Sequence, residues 1–129
     1  MSKLYDVIVI GGGPAGLSAG LYAGRARLST LMIEKDKEGG QIVQTAEIEN
    51  YPGGLEEESG PTLIDRMSSQ AQKFGVEKVL DEITDMALSG KEKKLMGKKD
   101  TYRAKTVIIA AGASPVPIGC PGEKEFTGK

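Results

Sequence analysis

Residues 5–10, YDVIVI, form an almost unbroken apolar run rich in β-branched side chains. Such a run fits a strand buried on both faces, as in a parallel sheet. The glycine stretch GGGPAG at 11–16 follows at once, with Pro14 where a first helical turn accepts it. AGLSAGLYAGRA continues as a helix of small residues. Gly20 and Gly24 each cost about 1 kcal/mol against alanine in a helix interior, which predicts a helix lying very close to a sheet. STLMIEK at 29–35 supplies the second strand, so strand, glycine turn, helix and strand together make one βαβ unit.

The next pattern is sparse. Residues 36–58 lack a hydrophobic period and end in Glu56, Glu57 and Glu58, which read as a solvated acidic surface. From Thr62 to Phe74 the apolar positions Leu63, Ile64, Met67, Ala71 and Phe74 fall on one helical face, with Thr62 and Asp65 as a capping pair and Gly75 as the stop. VEKVL at 76–80 reads as a third short strand. ITDMALSG, KEKKLMG and KKDTYRA, split by Gly90 and Gly97, read as a half-exposed antiparallel meander with its lysines toward solvent. KTVIIAAG at 105–112 returns to the buried parallel type. The tail, rich in proline and glycine, reads as a connector and not as an element. The chain therefore divides into a nucleotide-type domain over 1–115 and a connector over 116–129.

Bulk properties remove several classes of function. The chain has 129 residues, 17 basic against 18 acidic, so it carries no basic field for nucleic acid. No apolar run approaches the ~20 residues of a membrane span. The N-terminus lacks a secretory cleavage signature, and the compartment reads as cytoplasmic. A single cysteine, Cys120, and no histidine exclude an internal disulfide and argue against a metal site built on either residue. Cys120 sits in the connector and reads as an incidental thiol.

The 18 glycines cluster after the strand-like runs, where backbone can approach a ligand closely. Gly11, Gly13 and Gly16 form G-x-G-x-x-G between a buried strand and a helix. The first glycine serves the tight turn, the second admits a pyrophosphate, and the third lets helix pack on strand. The phosphates then meet the N–H groups and positive end of the helix dipole. Glu34 ends the second strand, where an acid accepts hydrogen bonds from ribose hydroxyls and repels a 2′-phosphate. NADP is thus disfavoured at this site, while FAD and NAD both fit these two motifs. The stretch EGGQIVQTAEIENYPGG at 38–54 separates them. Gly39 and Gly40 would let backbone pass beside a flat ring, and the amides of Gln41 and Asn50 suit the N and O rim of an isoalloxazine.

GGGPAG, GGQ, ENYPGG, GPTLIDRM and VIIAAGASP, in this order, resemble the N-terminal FAD-binding part of thioredoxin reductases of the low-molecular-weight bacterial type, in the class II pyridine nucleotide-disulfide oxidoreductases. The resemblance covers essentially the whole chain. It implies a Rossmann-like α/β domain: a parallel sheet with helices on one face and a three-stranded antiparallel meander on the other, lacking its C-terminal strand. It carries Gln41, Thr45 and Asn50 over to the flavin, and the backbone around Glu82 to the adenine. Ala110, Ala111 and Gly112 come to the strand end beside the cofactor. Pro14, Ala15 and Lys35 complete the cofactor-binding set. Ala111 stands where many members carry threonine, so one side-chain hydrogen bond is lost.

The family passes electrons from NADPH to FAD, to a Cys-x-x-Cys pair and on to thioredoxin. This chain contains neither that pair nor a second nucleotide motif. The resemblance implies that the chain ends just before an NADPH domain, as one part of a longer enzyme and not competent alone. It also implies an unpaired apolar edge at 105–111, hence a homodimer or other self-association. Two alternatives stand beside this reading: the FAD domain of a ferredoxin- or peroxiredoxin-system flavin reductase, and a stand-alone flavin-binding module without catalysis.

Overall fold

The computed structural model describes residues 3–127. Its elements are β1 (Leu4–Ile10), α1 (Pro14–Arg25), β2 (Thr30–Glu34), a 3₁₀ turn (Gly40–Gln44), α2 (Gly60–Lys73), β3 (Glu77–Leu80), β4 (Ile83–Ala87), β5 (Lys93–Gly97), β6 (Thr101–Ile109) and a short α3 (Glu123–Phe126). One six-stranded sheet runs in the order β3-β2-β1-β6-β5-β4. The first four strands are parallel, and β5 joins β6 and β4 antiparallel.

Alternation along β1 and β2 divides the core. Val7, Val9 and Met32 pack with Leu17, Ile64, Ala71 and Val76 on the helix side. Ile8, Leu31 and Ile33 pack with Leu95 and Ala104 on the other. Leu95 comes from β5, so the meander covers the face that the helices leave bare. Each such valine, leucine, isoleucine or methionine side chain stabilises the fold by about 1.5–3 kcal/mol when fully buried. This is the Rossmann-like arrangement the sequence predicts. No helix among the described residues is long and apolar enough to cross a membrane.

Several expectations change. The meander's third strand and the fourth parallel strand are one element, the nine-residue β6. Its first residues pair with β5, and from Arg103 onward it pairs with β1. The polar side chains of Arg103, Lys105 and Thr106 break the apolar run without breaking the strand. Past Ala104 the partner is β1 alone, and Ile109 is 58% exposed.

The α2 cap also moves. Ser59 and Thr62 form the capping box: the Ser59 N–H donates to the Thr62 hydroxyl at 2.8 Å and the Thr62 N–H to the Ser59 hydroxyl at 3.3 Å. The helix starts earlier than Thr62 because Gly60 packs on the 3₁₀ turn, where a Cβ would lie 1.8 Å from the Ile42 carbonyl oxygen. Phe74 lies beyond the helix and is exposed, with the Arg25 guanidinium over its ring. Of the two mid-helix glycines of α1, Gly20 faces Val76 just ahead of β3, and Gly24 answers the neighbouring helix as well. A Cβ on Gly24 would sit 2.9 Å from the Phe74 carbonyl oxygen, at the end of α2.

Glu58 is no surface acid. It is 2% exposed, pairs with Arg66, and accepts from the Leu55 N–H at 3.1 Å and the Thr62 hydroxyl at 3.1 Å. With the Ile48 N–H on the Glu58 carbonyl at 2.7 Å and the Gly60 N–H on the Thr45 carbonyl at 2.9 Å, it closes residues 45–60 into an Ω-type loop. The tail is not wholly irregular either. In it, the Glu123 carboxylate at the start of α3 accepts the N–H groups of Ile118 and Gly119.

Asp81 is 2% exposed and ties the β3–β4 corner to the β5–β6 turn. It accepts the N–H groups of Glu82 at 2.8 Å, Lys99 at 3.1 Å and Asp100 at 3.2 Å, and the Tyr102 hydroxyl at 2.9 Å. Burial pushes its carboxyl up, but the Tyr102 bond and the three N–H groups outweigh it and leave the group below its usual range. Tyr102 is pushed up to about 12, first by burial and then by this bond. Asp6 is held down to about 2, first by the Lys105 ammonium and then by Ser29.

Both acids have folded-state values below the unfolded ~3.9, so their stabilisation is complete above that value and is lost as pH falls through the lower folded values. Thermal melts should be level near neutrality and fall steeply between pH ~4 and 2. Asp81→Asn should lower the melting temperature at pH 7 and flatten the acid limb. An acid limb of unchanged depth in the variant would remove Asp81 from this account.

Candidate functional site

The site lies at the C-terminal ends of the parallel strands, where β1 turns into α1. Gly11 adopts φ +106°, and a Cβ on it would fall 2.3 Å from the Ala110 carbonyl oxygen, so the turn admits glycine alone. Its N–H donates to the Ile33 carbonyl at 2.8 Å, and the Ala110 N–H to the Ile10 carbonyl at 2.8 Å. A Cβ on Gly16 would stand 1.8 Å from the Gly11 carbonyl oxygen, so α1 rests directly on the turn. Gly13 is different. It precedes α1, and the nearest atom to a Cβ there is the Gly39 carbonyl oxygen at 3.8 Å. No side chain caps α1 and no acid lies in its first turn. Its opening N–H groups and positive dipole end therefore face free space.

That space is a cavity of about 530 Å³. Its walls bring together Gly11, Gly13, Pro14, Ala15, Glu34, Lys35, Gly40, Gln41, Ala110, Ala111 and Gly112. A second hollow of about 310 Å³ shares Gly11, Glu34, Lys35 and Ala111 and adds Asp81, Glu82 and Ile83. Glu34 stands on both. One of its oxygens accepts the Gly12 N–H at 2.7 Å, the other those of Lys35 at 2.7 Å and Asp36 at 3.2 Å. Glu82 lines the second hollow while its carboxylate, held down by the Lys98 ammonium, turns to that partner.

Gly16 and Gly39 support the walls from behind. Gly39, at φ +119°, leaves no room for a side chain: a Cβ would meet Val43 Cγ1 at 2.1 Å and Ile64 Cγ1 at 3.2 Å. Gly40, at φ +62°, faces the Cα of Gly13 at 3.8 Å. The Gln41 amide donates across to the Ala113 carbonyl at 3.3 Å. Thr45 and Asn50 stay outside both hollows, on the exposed 45–60 loop. Sequence reasoning did not single out Asp36, Lys37, Ile42, Ala113 or Ser114 in the larger cavity. The strand-end rule for α/β sheets could have reached Ala113 and Ser114, which continue past β6. Asp36 and Lys37 carry no signal beyond following β2.

This combination of a bare helix N-terminus, a glycine turn and a strand-end carboxylate defines a dinucleotide-type cradle. Over residues 5–129 the chain matches the pyridine nucleotide-disulphide oxidoreductase family, and it belongs to that family. Within it, the chain is 56% identical to a thioredoxin reductase of Peptoclostridium acidaminophilum, over 100% of its own length and 41% of that protein's. The crystal structure of thioredoxin reductase from Streptococcus pyogenes superposes with a TM-score of 0.87 at 42% identity, covering 96% of this chain and 40% of that one. A ferredoxin-flavin thioredoxin reductase from Clostridium acetobutylicum matches with a TM-score of 0.78 at 26% identity, over 98% of this chain and 43% of the other. The chain thus spans about two fifths of the relatives it matches.

The glycines of the turn should separate by variant. Gly16→Ala must push α1 off the Gly11 carbonyl and should destabilise by about 1–3 kcal/mol, the usual range for overpacking. Gly13→Ala meets nothing closer than 3.8 Å and should melt close to wild type. Chemical denaturation of the two variants makes the comparison, and equal losses would contradict it.

Proposed function

We propose that this chain is the FAD-binding part of a thioredoxin-disulfide reductase. The observation that carries the reading is the uncapped N-terminus of α1 at Gly13, open to a cavity bordered by Glu34 and the Gly40–Gln41 wall. The residues fit the group. Gly11, Gly13 and the first N–H groups of α1, at Ala15 and Gly16, receive the pyrophosphate without a side chain in the way. Glu34 already accepts three N–H groups, and a carboxylate has about four acceptor sites, so it retains capacity for a ribose hydroxyl. Its charge opposes a 2′-phosphate. The hollow at Lys35 and Glu82 takes the adenine. Ala110–Gly112 and Gln41 border the flavin end, while Thr45 and Asn50, outside both hollows, are assigned to it by the family resemblance alone.

When bound, FAD supplies two-electron redox chemistry between NADPH and a dithiol. The protein's part here is to bind and orient. The only cysteine, Cys120, is exposed and cannot form an internal disulfide, so transfer to thioredoxin requires sulfurs that this chain does not carry. The likeness to the ferredoxin-flavin enzyme favours a second reading, in which the same cradle serves a flavin reduced by ferredoxin.

Acid release from the reconstituted chain should yield FAD and no stoichiometric FMN, because a pyrophosphate cradle has no purpose for the mononucleotide. Glu34→Ala should weaken FAD by ~1–3 kcal/mol, the cost of unpairing part-buried polar groups. Chromatographic recovery of FMN would overturn the assignment.

The exposed Ile108 and Ile109 at the open side of β6 supply an edge for pairing with another chain. Sedimentation of the isolated chain should show self-association that grows with concentration. A monomer throughout would argue against this edge as an interface.

A further inference from the structure

Behind the cradle, three polar side chains from three elements meet. Glu38 comes from the segment after β2, Ser68 from α2 and Lys78 from β3. The Ser68 hydroxyl donates to Glu38 Oε2 at 2.8 Å. The Lys78 ammonium lies 2.9 Å from Glu38 Oε1 and 3.1 Å from Oε2, and also donates to Ser68 Oγ. The ion pair is largely shielded, with side-chain exposures of 18% for Lys78 and 24% for Glu38. Shielding strengthens the attraction and makes loss of either partner costly. Nothing in the cradle's chemistry uses these groups directly.

The neighbours of Glu38 give the network a purpose. Its Cγ lies 3.2 Å from where a Gly12 Cβ would be. The next residue, Gly39, donates its N–H to the Gly12 carbonyl at 2.9 Å. The Gly39 carbonyl is also the closest atom to the open side of Gly13, and Gly40 faces the Gly13 Cα. Residues 38–40 therefore form the wall opposite the glycine turn. The wall's own backbone has left-handed glycines at both 39 and 40. The tether through Glu38 adds to the packing of the 3₁₀ turn on α2 in fixing the wall's position.

We infer that Glu38, Ser68 and Lys78 are positioning residues for the dinucleotide: they anchor residues 38–40 to α2 and β3 and so set the width of the slot beside Gly12 and Gly13. The inference rests on the proposed FAD reading and deepens it. None of the three lines either hollow of the cradle. Their effect passes through the Gly39–Gly12 hydrogen bond, in the manner of a supporting shell that holds contact groups to the required geometry.

The test uses the 129-residue chain in four forms: wild type, Ser68→Ala, Lys78→Met and the exchange Glu38→Lys with Lys78→Glu. Two quantities are measured, FAD affinity by quenching of flavin fluorescence and amide exchange of Gly39 in cofactor-free protein. In Lys78→Met we expect FAD to bind five- to twentyfold more weakly and the Gly39 amide to exchange faster, with the amides of β1 unchanged. Ser68→Ala should move both readouts the same way by less. The charge exchange should restore at least half of the lost affinity, on a logarithmic scale. A merely structural role would speed exchange in β1 and α2 alongside Gly39, and that result overturns the inference. So does wild-type FAD affinity in Lys78→Met, which leaves the FAD reading intact. Absence of FAD binding by the wild-type chain sinks the FAD reading and this inference with it.

Discussion

The Gly11 carbonyl oxygen and the α-carbon of Gly16 all but touch, and the rest of the domain is arranged around that approach. A methyl group at either glycine would overlap backbone atoms, 1.8 Å away at Gly16 and 2.3 Å at Gly11. The contact lowers α1 onto the end of β1 and aims its first turn past the sheet. Because α1 sits that low, α2 can pack against it, with the Phe74 carbonyl beside Gly24. Because α2 sits there, the 3₁₀ turn and the paired glycines 39 and 40 are wedged between α2 and the cradle. A dipole is useful to an anion only within its first turn. The same contact that builds the core therefore also delivers the helix end to the cavity.

Strand β6 carries the second constraint. It is antiparallel to β5 at its start and parallel to β1 for the remainder, so one strand belongs to the meander and to the parallel sheet. Leu95 and Ala104 meet Ile8 and Ile33 as a result, and the apolar face left by the helices is closed without a second helical layer. Asp81 locks the corner of this arrangement with four donors. Its neighbour Glu82 is thereby fixed on the wall of the smaller hollow.

Much of this was legible in the chain, and the parts that were not share a cause. The strands YDVIVI and STLMIEK and the glycine turn declare themselves because backbone sterics and two-sided burial leave few residue choices. The walls at 11, 13–15 and 34–35 adjoin those motifs, that at 40–41 lies in the GGQ stretch, and that at 110–112 was assigned by the family resemblance. Glu58 was hidden among three consecutive acids, since its partner Arg66 lies on the next element and only folding brings the two together. Asp81 gave no signal for the same reason: three of its four donors come from residues 99–102, far along the chain. The start of α2 was misread because the determining contact, Gly60 on the Ile42 carbonyl, is tertiary. Thr45 and Asn50 carry suitable functional groups and line neither hollow. Side-chain chemistry is written locally; direction is decided by what packs behind.

The pairing of β1 with β6 has a temporal consequence as well. Leu4 lies opposite Arg103, so β1 acquires that neighbour only once a strand about a hundred residues further along the chain is in place. Closing a loop of about a hundred residues costs entropy that only the completed sheet returns, which places this step late in folding. The β5–β6 hairpin, by contrast, closes over a few residues and can form early. In the interval β1 can pair with β2 while its other edge stays open, apolar and ready to accept a strand from elsewhere. Asp6, close to the start of that edge, bears a charge until Lys105 arrives to neutralise it. A charge at that place discourages premature strand addition during synthesis and becomes a tether once the correct strand is in register.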